Sequence, residues 1–252
     1  MITQKLLEQI LDNFAKQEMI FSNEQDFQFE LALELARHKE LVADVKLEPL
    51  SIDISWSEVL NLSKKGKSLT RKTKQYTDIL LQDVDGNFVA IELKYKTPNK
   101  ICCYTTQNNN HFVTMSQGAY DFGVYDFLKD VERLEHINER HFAKDIKITQ
   151  AFAIMLTNDR NYRFNDFSRS KIWMNYGIFE NAVLPKGTLT FCGQTQYKTK
   201  HRTFDAITLK NTYVCNWRNY PLKNYDNYSS KQNPSPGFSY LVLPICCEKQ
   251  KN

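Results

Sequence analysis

The sequence has no apolar run approaching the length that crosses a bilayer, so a membrane-spanning protein is not expected. Its opening segment, MITQKLLEQILDNFAKQE, contains acids and lacks both an unbroken apolar stretch and a small-residue cleavage site, which argues against a signal peptide. Zinc-type CxxC spacing is missing. The six cysteines fall as two adjacent pairs, Cys102-Cys103 and Cys246-Cys247, plus Cys192 and Cys215, and form no regular disulfide framework. Reduced thiols in a cytoplasm are the expectation. His111, His136, His141 and His201 show no ligand spacing and are assigned no metal. A strong charge of one sign is absent too: 33 Lys+Arg stand against 29 Asp+Glu, a net charge of +4. That balance tolerates a nucleic-acid partner without arguing for one, and a local basic cluster is needed. Lys64, Lys65, Lys67, Arg71, Lys72 and Lys74 supply it. Such a run is most often a solvated loop, but it leads directly into the segment of interest, where phosphate contact would be non-specific and salt-sensitive.

What is present reads as a single α/β domain. With 252 residues, 42% of them hydrophobic and 25% charged, the chain is long enough for one sizeable core. Leu6, Leu7, Ile10, Leu11 and Phe14 recur at helical spacing. A second helix begins after Ser22 or Asn23, with acids in its first turn and an apolar face of Phe27, Leu31 and Leu35, broadened by Phe29 and Leu33. One strand is expected between Val42 and Ile54, although Pro49 interrupts it. Tyr76 to Gln82 and Phe88 to Lys96 read as two strands joined by DVDGN, and Ile148 to Thr157 as a buried strand. Between them a helix runs from about Ser116 to about Glu135, with the stripe Tyr120, Val124, Phe127, Leu128, Val131 and Leu134. From residue 161 the chain is aromatic-rich with short β-like runs: Val183 to Cys192, Phe204 to Trp217, Tyr240 to Ile245.

The informative segment is YTDILLQDVDGNFVAIELKYK. Strand side chains alternate, so Glu92 and Lys94 emerge on one face. If Val84, Asp85 and Gly86 form a three-residue loop with Gly86 left-handed, Asp83 pairs with Asn87, and counting back places Asp78 opposite Glu92. Such partners share a face with Cβ atoms about 5 Å apart. A two-residue loop would shift the register and put Asp78 on the wrong side. Two carboxylates that close repel, and a hard divalent cation removes the penalty. Mg²⁺ takes oxygen ligands, commonly one or two protein carboxylates with water and substrate phosphate beside them. A neighbouring lysine can orient the attacking water or neutralise developing charge.

Asp78, thirteen intervening residues, then Glu92-Leu93-Lys94 resembles the D…ExK core of the PD-(D/E)XK nucleases, a superfamily that includes restriction endonucleases. The resemblance covers roughly residues 20 to 160. It implies a restriction endonuclease-like central mixed sheet flanked by helices, with residues 161 to 252 as a β-rich C-terminal elaboration. It implies hydrolysis of DNA phosphodiester bonds, in repair or in defence against foreign DNA. Asp78, Glu92 and Glu24 would hold Mg²⁺, with Mn²⁺ able to substitute, and Lys94 would position the attacking water. Glu24, inward-facing at its helix's first turn, is carried over as the third acid; Asp26, Glu30 and Glu48 stay open as rivals. Gln117, followed by Tyr120, resembles a glutamine that some branches carry on the next helix, though their usual tyrosine spacing is one residue longer. Capping of its helix explains Gln117 as well. Thr77 stands where the name implies proline. Lys96 shares the Lys94 face and reads as an exposed edge lysine. A non-catalytic member of the same fold, binding nucleic acid or protein, is the alternative, and an unrelated structural hairpin the third. Homodimerisation is left open.

Overall fold

The computed structural model describes residues 1–68, 74–97, 102–105, 111–114, 120–142, 146–164, 177–190, 193–198, 200, 202–222 and 237–247. Helices α1 (Gln4–Lys16) and α2 (Glu24–Arg37) lead into β1 (Val42–Leu47) and the short β2 (Leu50–Ile52). Helix α3 (Trp56–Lys64) and β3 (Lys74–Tyr76) precede the hairpin β4 (Ile79–Asp83) and β5 (Phe88–Lys96). A ribbon of β6 (Cys102–Thr105) and β7 (His111–Thr114) comes before α4 (Tyr120–Glu135), β8 (His141–Phe142), β9 (Ile148–Thr157) and the single turn α5 (Arg160–Arg163). The remaining strands are β10 (Val183–Leu184), β11 (Gly187–Leu189), β12 (Gln196–Lys198), β13 (Thr203–Asp205), β14 (Ile207–Leu209), β15 (Tyr213–Val214), β16 (Trp217–Tyr220) and β17 (Phe238–Ile245).

A central mixed sheet in the order β1-β4-β5-β9-β17-β16 organises the molecule. All neighbours are antiparallel except β5 and β9, which run parallel, with α4 in the connection between them. Helices α1 and α2 cover one face. There Leu7, Leu11, Phe27 and Leu31 bury against Ile79, Leu81, Val89, Ile91, Leu93 and Tyr95. The other face packs Leu80, Ala90, Ala153 and Met155 against α4 through Val124, Phe127, Leu128, Val131 and Leu134. Strand alternation thus assigns odd-numbered residues of β4 and β5 to the α1/α2 layer and even-numbered ones to the α4 layer.

The hairpin takes the expected register. Gln82 pairs with Phe88, Leu81 with Val89, Leu80 with Ala90 and Ile79 with Ile91. The Asp83 N–H donates to the Asn87 carbonyl at 2.8 Å, and Gly86 has φ +83°. Asp83 is buried and draws the loop around itself, its Oδ1 accepting from the N–H groups of Asp85 (3.0 Å) and Asn87 (2.8 Å).

Elsewhere the sequence reading needs correction. Val42 to Ile54 is two strands in two sheets, because Glu48 adopts φ +48° before Pro49 and turns the chain from β4 towards β3 and β8. Phe29 and Leu33 are 55% and 38% exposed: they lie about 200° round the helix from Phe27 and Leu31, and one sheet can cover one face only. The start of the basic stretch is helical. Ser55 and Glu58 form a capping box that opens α3. Lys96 is half-buried and pairs with Thr157 of β9, beyond the stretch of β5 that β4 covers. Residues beyond 161 contribute β16 and β17 to the central sheet itself, so the sheet does not end where the resemblance does. Buried Glu135 ties the small C-terminal strands to α4, accepting from the N–H groups of Lys210 (2.7 Å) and Asn211 (2.9 Å) and from the Tyr213 hydroxyl (2.7 Å). Among the described residues no helix is long and apolar enough to cross a membrane.

The left-handed Gly86 sets the register on which the site depends. A Cβ there would meet nothing closer than Gln82 Nε2 at 4.0 Å, so any penalty is one of backbone conformation. Gly86→Val should lower stability by about 1–2 kcal/mol, read as a lower urea midpoint at unchanged slope. Gly86→Asn should cost visibly less, since asparagine tolerates this region.

Candidate functional site

Asp78 sits one residue before β4, and the hairpin register continued by one step sets it opposite Glu92. Its backbone is pinned as the chain enters the strand: its carbonyl accepts from Gln28 Nε2 at 2.5 Å and from the Glu48 N–H at 3.0 Å. Its side chain reaches across the hairpin, where Oδ2 accepts the Leu93 N–H at 2.6 Å. Glu92, 2% exposed, and Lys94 project from β5 on the same, α4-facing side.

Helix α4 brings two residues that the sequence reading did not select. Asp130 is 3% exposed and lies among the buried residues of the stripe, three residues after Phe127 and four before Leu134. Its Oδ2 is 2.6 Å from Lys94 Nζ, and its Oδ1 is 2.7 Å from Arg133 Nη2. Arg133 Nη2 also contacts Glu92 Oε2 at 2.8 Å. An acid on the buried stripe of an amphipathic helix is itself a signal, because such a charge needs a partner across the interface.

Glu24, in the first turn of α2, accepts the Tyr95 N–H on Oε2 at 3.0 Å and places Oε1 3.6 Å from Lys94 Nζ. This third member of the expected metal set therefore faces the lysine and the end of β5. Among its rivals, Asp26 accepts the Ser22 N–H at 2.8 Å, and Glu48 lies at the β1–β2 break. Glu30 forms no described contact with the centre. Lys64, Lys65, Lys67 and Lys74 are exposed and make no ion pair with these residues. Gln117, Arg71 and Lys72 lie outside the described residues.

The electrostatics follow from burying unlike numbers of charges. Around Lys94 and Arg133 stand four carboxylates, those of Asp78, Glu92, Asp130 and Glu24, so the formal excess is two negative charges. Burial pushes the Asp78 carboxyl up, and Asp130 and Glu24 add to the rise against the pull of Lys94 and the Leu93 N–H. Burial also holds Glu92 well above the usual range, with Asp130 and Asp78 opposing the help it gets from Arg133. For Lys94 burial acts the other way, yet Asp130 first, then Glu24, Asp78 and Glu92, outweigh it and raise the ammonium above the ordinary lysine value. Lys94 is thus a permanent hydrogen-bond donor and not a base.

The donor chemistry suits a hard divalent cation. The hydrogen bond and ion pair at the two hairpin acids use Asp78 Oδ2 and Glu92 Oε2, and no described residue donates to Asp78 Oδ1 or Glu92 Oε1. Among the described residues no three Asp, Glu, His or Cys side chains converge as a ready coordination shell. Magnesium does not require one, because it commonly retains water and substrate oxygens. Two oxygen donors and a charge excess of two fit it. Beside the centre, a cavity of about 380 Å³ is lined by Asp53, Gln75, Glu132, Arg133, His136, Glu139 and Arg140. No family model, curated protein or solved structure matches the chain.

Because the native Asp78 carboxyl is raised, the folded state binds protons that the unfolded chain does not at intermediate pH. Its penalty is therefore full above the native value and fades as pH falls through that value towards the unfolded one, about 3.9. Glu92 has the same sign. The metal-free protein should gain stability on going from about pH 7 to about pH 5. Asp78→Asn should melt higher than wild type at neutral pH and show a flatter profile. A wild-type melting temperature that falls across this range would contradict the charge assignment.

Proposed function

We propose that the chain is a Mg²⁺-dependent nuclease of the PD-(D/E)XK type with a restriction endonuclease-like core, hydrolysing DNA phosphodiester bonds. The observation that carries this reading is the register that sets Asp78, Glu92 and Lys94 on the α4 face of one hairpin, held by the three-residue loop. The element order supports it: an acid-bearing helix, the hairpin with D and ExK, then a helix leading to the next strand.

Asp78 and Glu92 would hold the cation through the oxygens that protein hydrogen bonds leave open. The cation, when bound, supplies Lewis-acid stabilisation of the phosphate and activation of water. The chain's own contribution is positional. Lys94, kept as an ammonium, donates to the attacking water or to a non-bridging phosphate oxygen, where charge develops as the water oxygen bonds to phosphorus and the bond to the leaving sugar oxygen breaks. Glu24 supports Lys94 from the far side. The low dielectric around Glu92 strengthens each of these interactions.

One observation favours a different use of the same fold. Arg133 already neutralises Glu92, as a charge network retained for structure alone would do. Such a protein would bind nucleic acid or another protein without turnover. Titration with Mn²⁺ separates the two, because only the nuclease reading gives a site that Asp78→Ala abolishes.

Wild-type protein should cut DNA in the presence of Mg²⁺ or Mn²⁺ and not in chelator. Asp78→Ala and Lys94→Ala should each lose on the order of 10²–10³-fold or more in turnover while keeping the wild-type circular dichroism spectrum. Normal cutting by both variants would remove the assignment.

A further inference from the structure

Asp130 occupies the middle of the charge cluster and has no part in the resemblance. Three oxygens surround Lys94 Nζ: Asp130 Oδ2, ion-paired at 2.6 Å without hydrogen-bond alignment, the Leu93 carbonyl, which accepts a hydrogen bond at 2.9 Å, and Glu24 Oε1, ion-paired at 3.6 Å. The Leu93 carbonyl belongs to the adjoining residue of the same strand and cannot by itself set the direction of a four-carbon side chain. Glu24 is both more distant and more exposed, its side chain 37% accessible against 4% for Asp130. Asp130 approaches from a different element, on a helix fixed to the sheet by Phe127, Val131 and Leu134. We propose that Asp130 is the positioning residue of the centre, fixing the Lys94 ammonium on the face that it shares with Asp78 and Glu92. The inference rests on the nuclease reading of that site.

The carboxylate's two oxygens are divided between two cations, Oδ2 to Lys94 and Oδ1 to Arg133. No neutral replacement keeps both. An asparagine offers one acceptor oxygen, and its amide group then points hydrogens at whichever cation loses the other. If the oxygen stays on Arg133, Lys94 is repelled from its place. A lysine side chain has much rotamer freedom, which Asp130 removes before substrate arrives. Its loss should therefore appear in turnover rather than in substrate binding.

The test uses the whole chain, with steady-state cleavage of duplex DNA in Mg²⁺ and the ¹⁵N-ammonium resonance of Lys94 followed by NMR. Asp130→Asn should lower kcat about 10²-fold with KM within about twofold, and should broaden the Lys94 resonance by solvent exchange. Asp130→Glu restores the charge one methylene out of place, and its kcat should lie about tenfold below wild type, between the other two. That variant also serves if the asparagine form does not fold. The control is Asp126→Asn, which breaks the ion pair between Asp126, one turn earlier on α4, and Arg202, has no described contact with the centre, and should leave kcat and the Lys94 resonance unchanged. Wild-type kcat in Asp130→Asn, a change confined to KM, or an unaltered Lys94 resonance would overturn the proposal. If wild type cuts no DNA in Mg²⁺ or Mn²⁺, the nuclease reading falls instead. The resonance alone then decides whether Asp130 holds Lys94: broadening sustains it and persistence ends it.

Discussion

Four carboxylates gathered at one end of a hairpin would push the strands apart if two cations were not buried among them. Coulomb repulsion grows as the local dielectric falls, and Glu92 at 2% exposure has little water to screen it. Lys94 and Arg133 offset most of that repulsion, and Asp130 joins the two. The arrangement is not a source of net stability. Burying ion pairs is roughly neutral at best: desolvation prevails at Asp78 and Glu92, whose carboxyls are raised, and pairing prevails at Lys94, whose ammonium is raised. A fold that carries such a cost must draw its stability from elsewhere.

That source is the sheet's two apolar faces. Ile91, Leu93 and Tyr95 alternate with Glu92 and Lys94 along β5, so the residues that bury the strand against α1 and α2 also fix which way the charged ones point. A one-residue slip would place Glu92 in the α2 layer and expose the apolar set, and no such slip can be cheap. The asparagine-capped α2 delivers Glu24 to the strand's end for the same reason: its Phe27, Leu31 and Leu35 face leaves the first turn overhanging Tyr95 and Lys94. Core packing on one side of the sheet and charge geometry on the other are one constraint.

The hairpin was legible in the sequence because its determinants are local. Loop length, a glycine at the left-handed position and period-two alternation fix Asp78 opposite Glu92 with no knowledge of the rest. Asp130 escaped because its role is set by what crosses beneath α4, and a helix bearing Asp126, Lys129, Asp130, Glu132 and Arg133 looks like an ordinary solvated face in one dimension. Only its phase with Phe127 and Leu134 distinguishes it. The break at Glu48-Pro49 and the recruitment of β16 and β17 into the sheet were illegible for the complementary reason. Both depend on pairings across tens of residues, which strand propensity does not encode. Phe29 and Leu33 show the opposite error, in which apolar character was taken for burial although helical phase places them on the outer face.

The two cations are not equivalent, and the difference bears on how the centre could accept a divalent ion. Lys94 is 13% exposed and is surrounded by Asp130, the Leu93 carbonyl and Glu24. Arg133 is 34% exposed and borders the cavity whose walls include Glu132, Glu139 and Asp53. A second positive charge entering beside Glu92 would repel both, and Arg133 has adjoining volume and acidic walls to turn towards. The guanidinium is a counter-ion that keeps Glu92 tolerable in the metal-free fold, and on the nuclease reading the ammonium would be the fixed element of the chemistry. On the nuclease reading, the Arg133–Glu92 pair and a metal-bound centre would be two charge states of one site, with Asp130 paired to both cations.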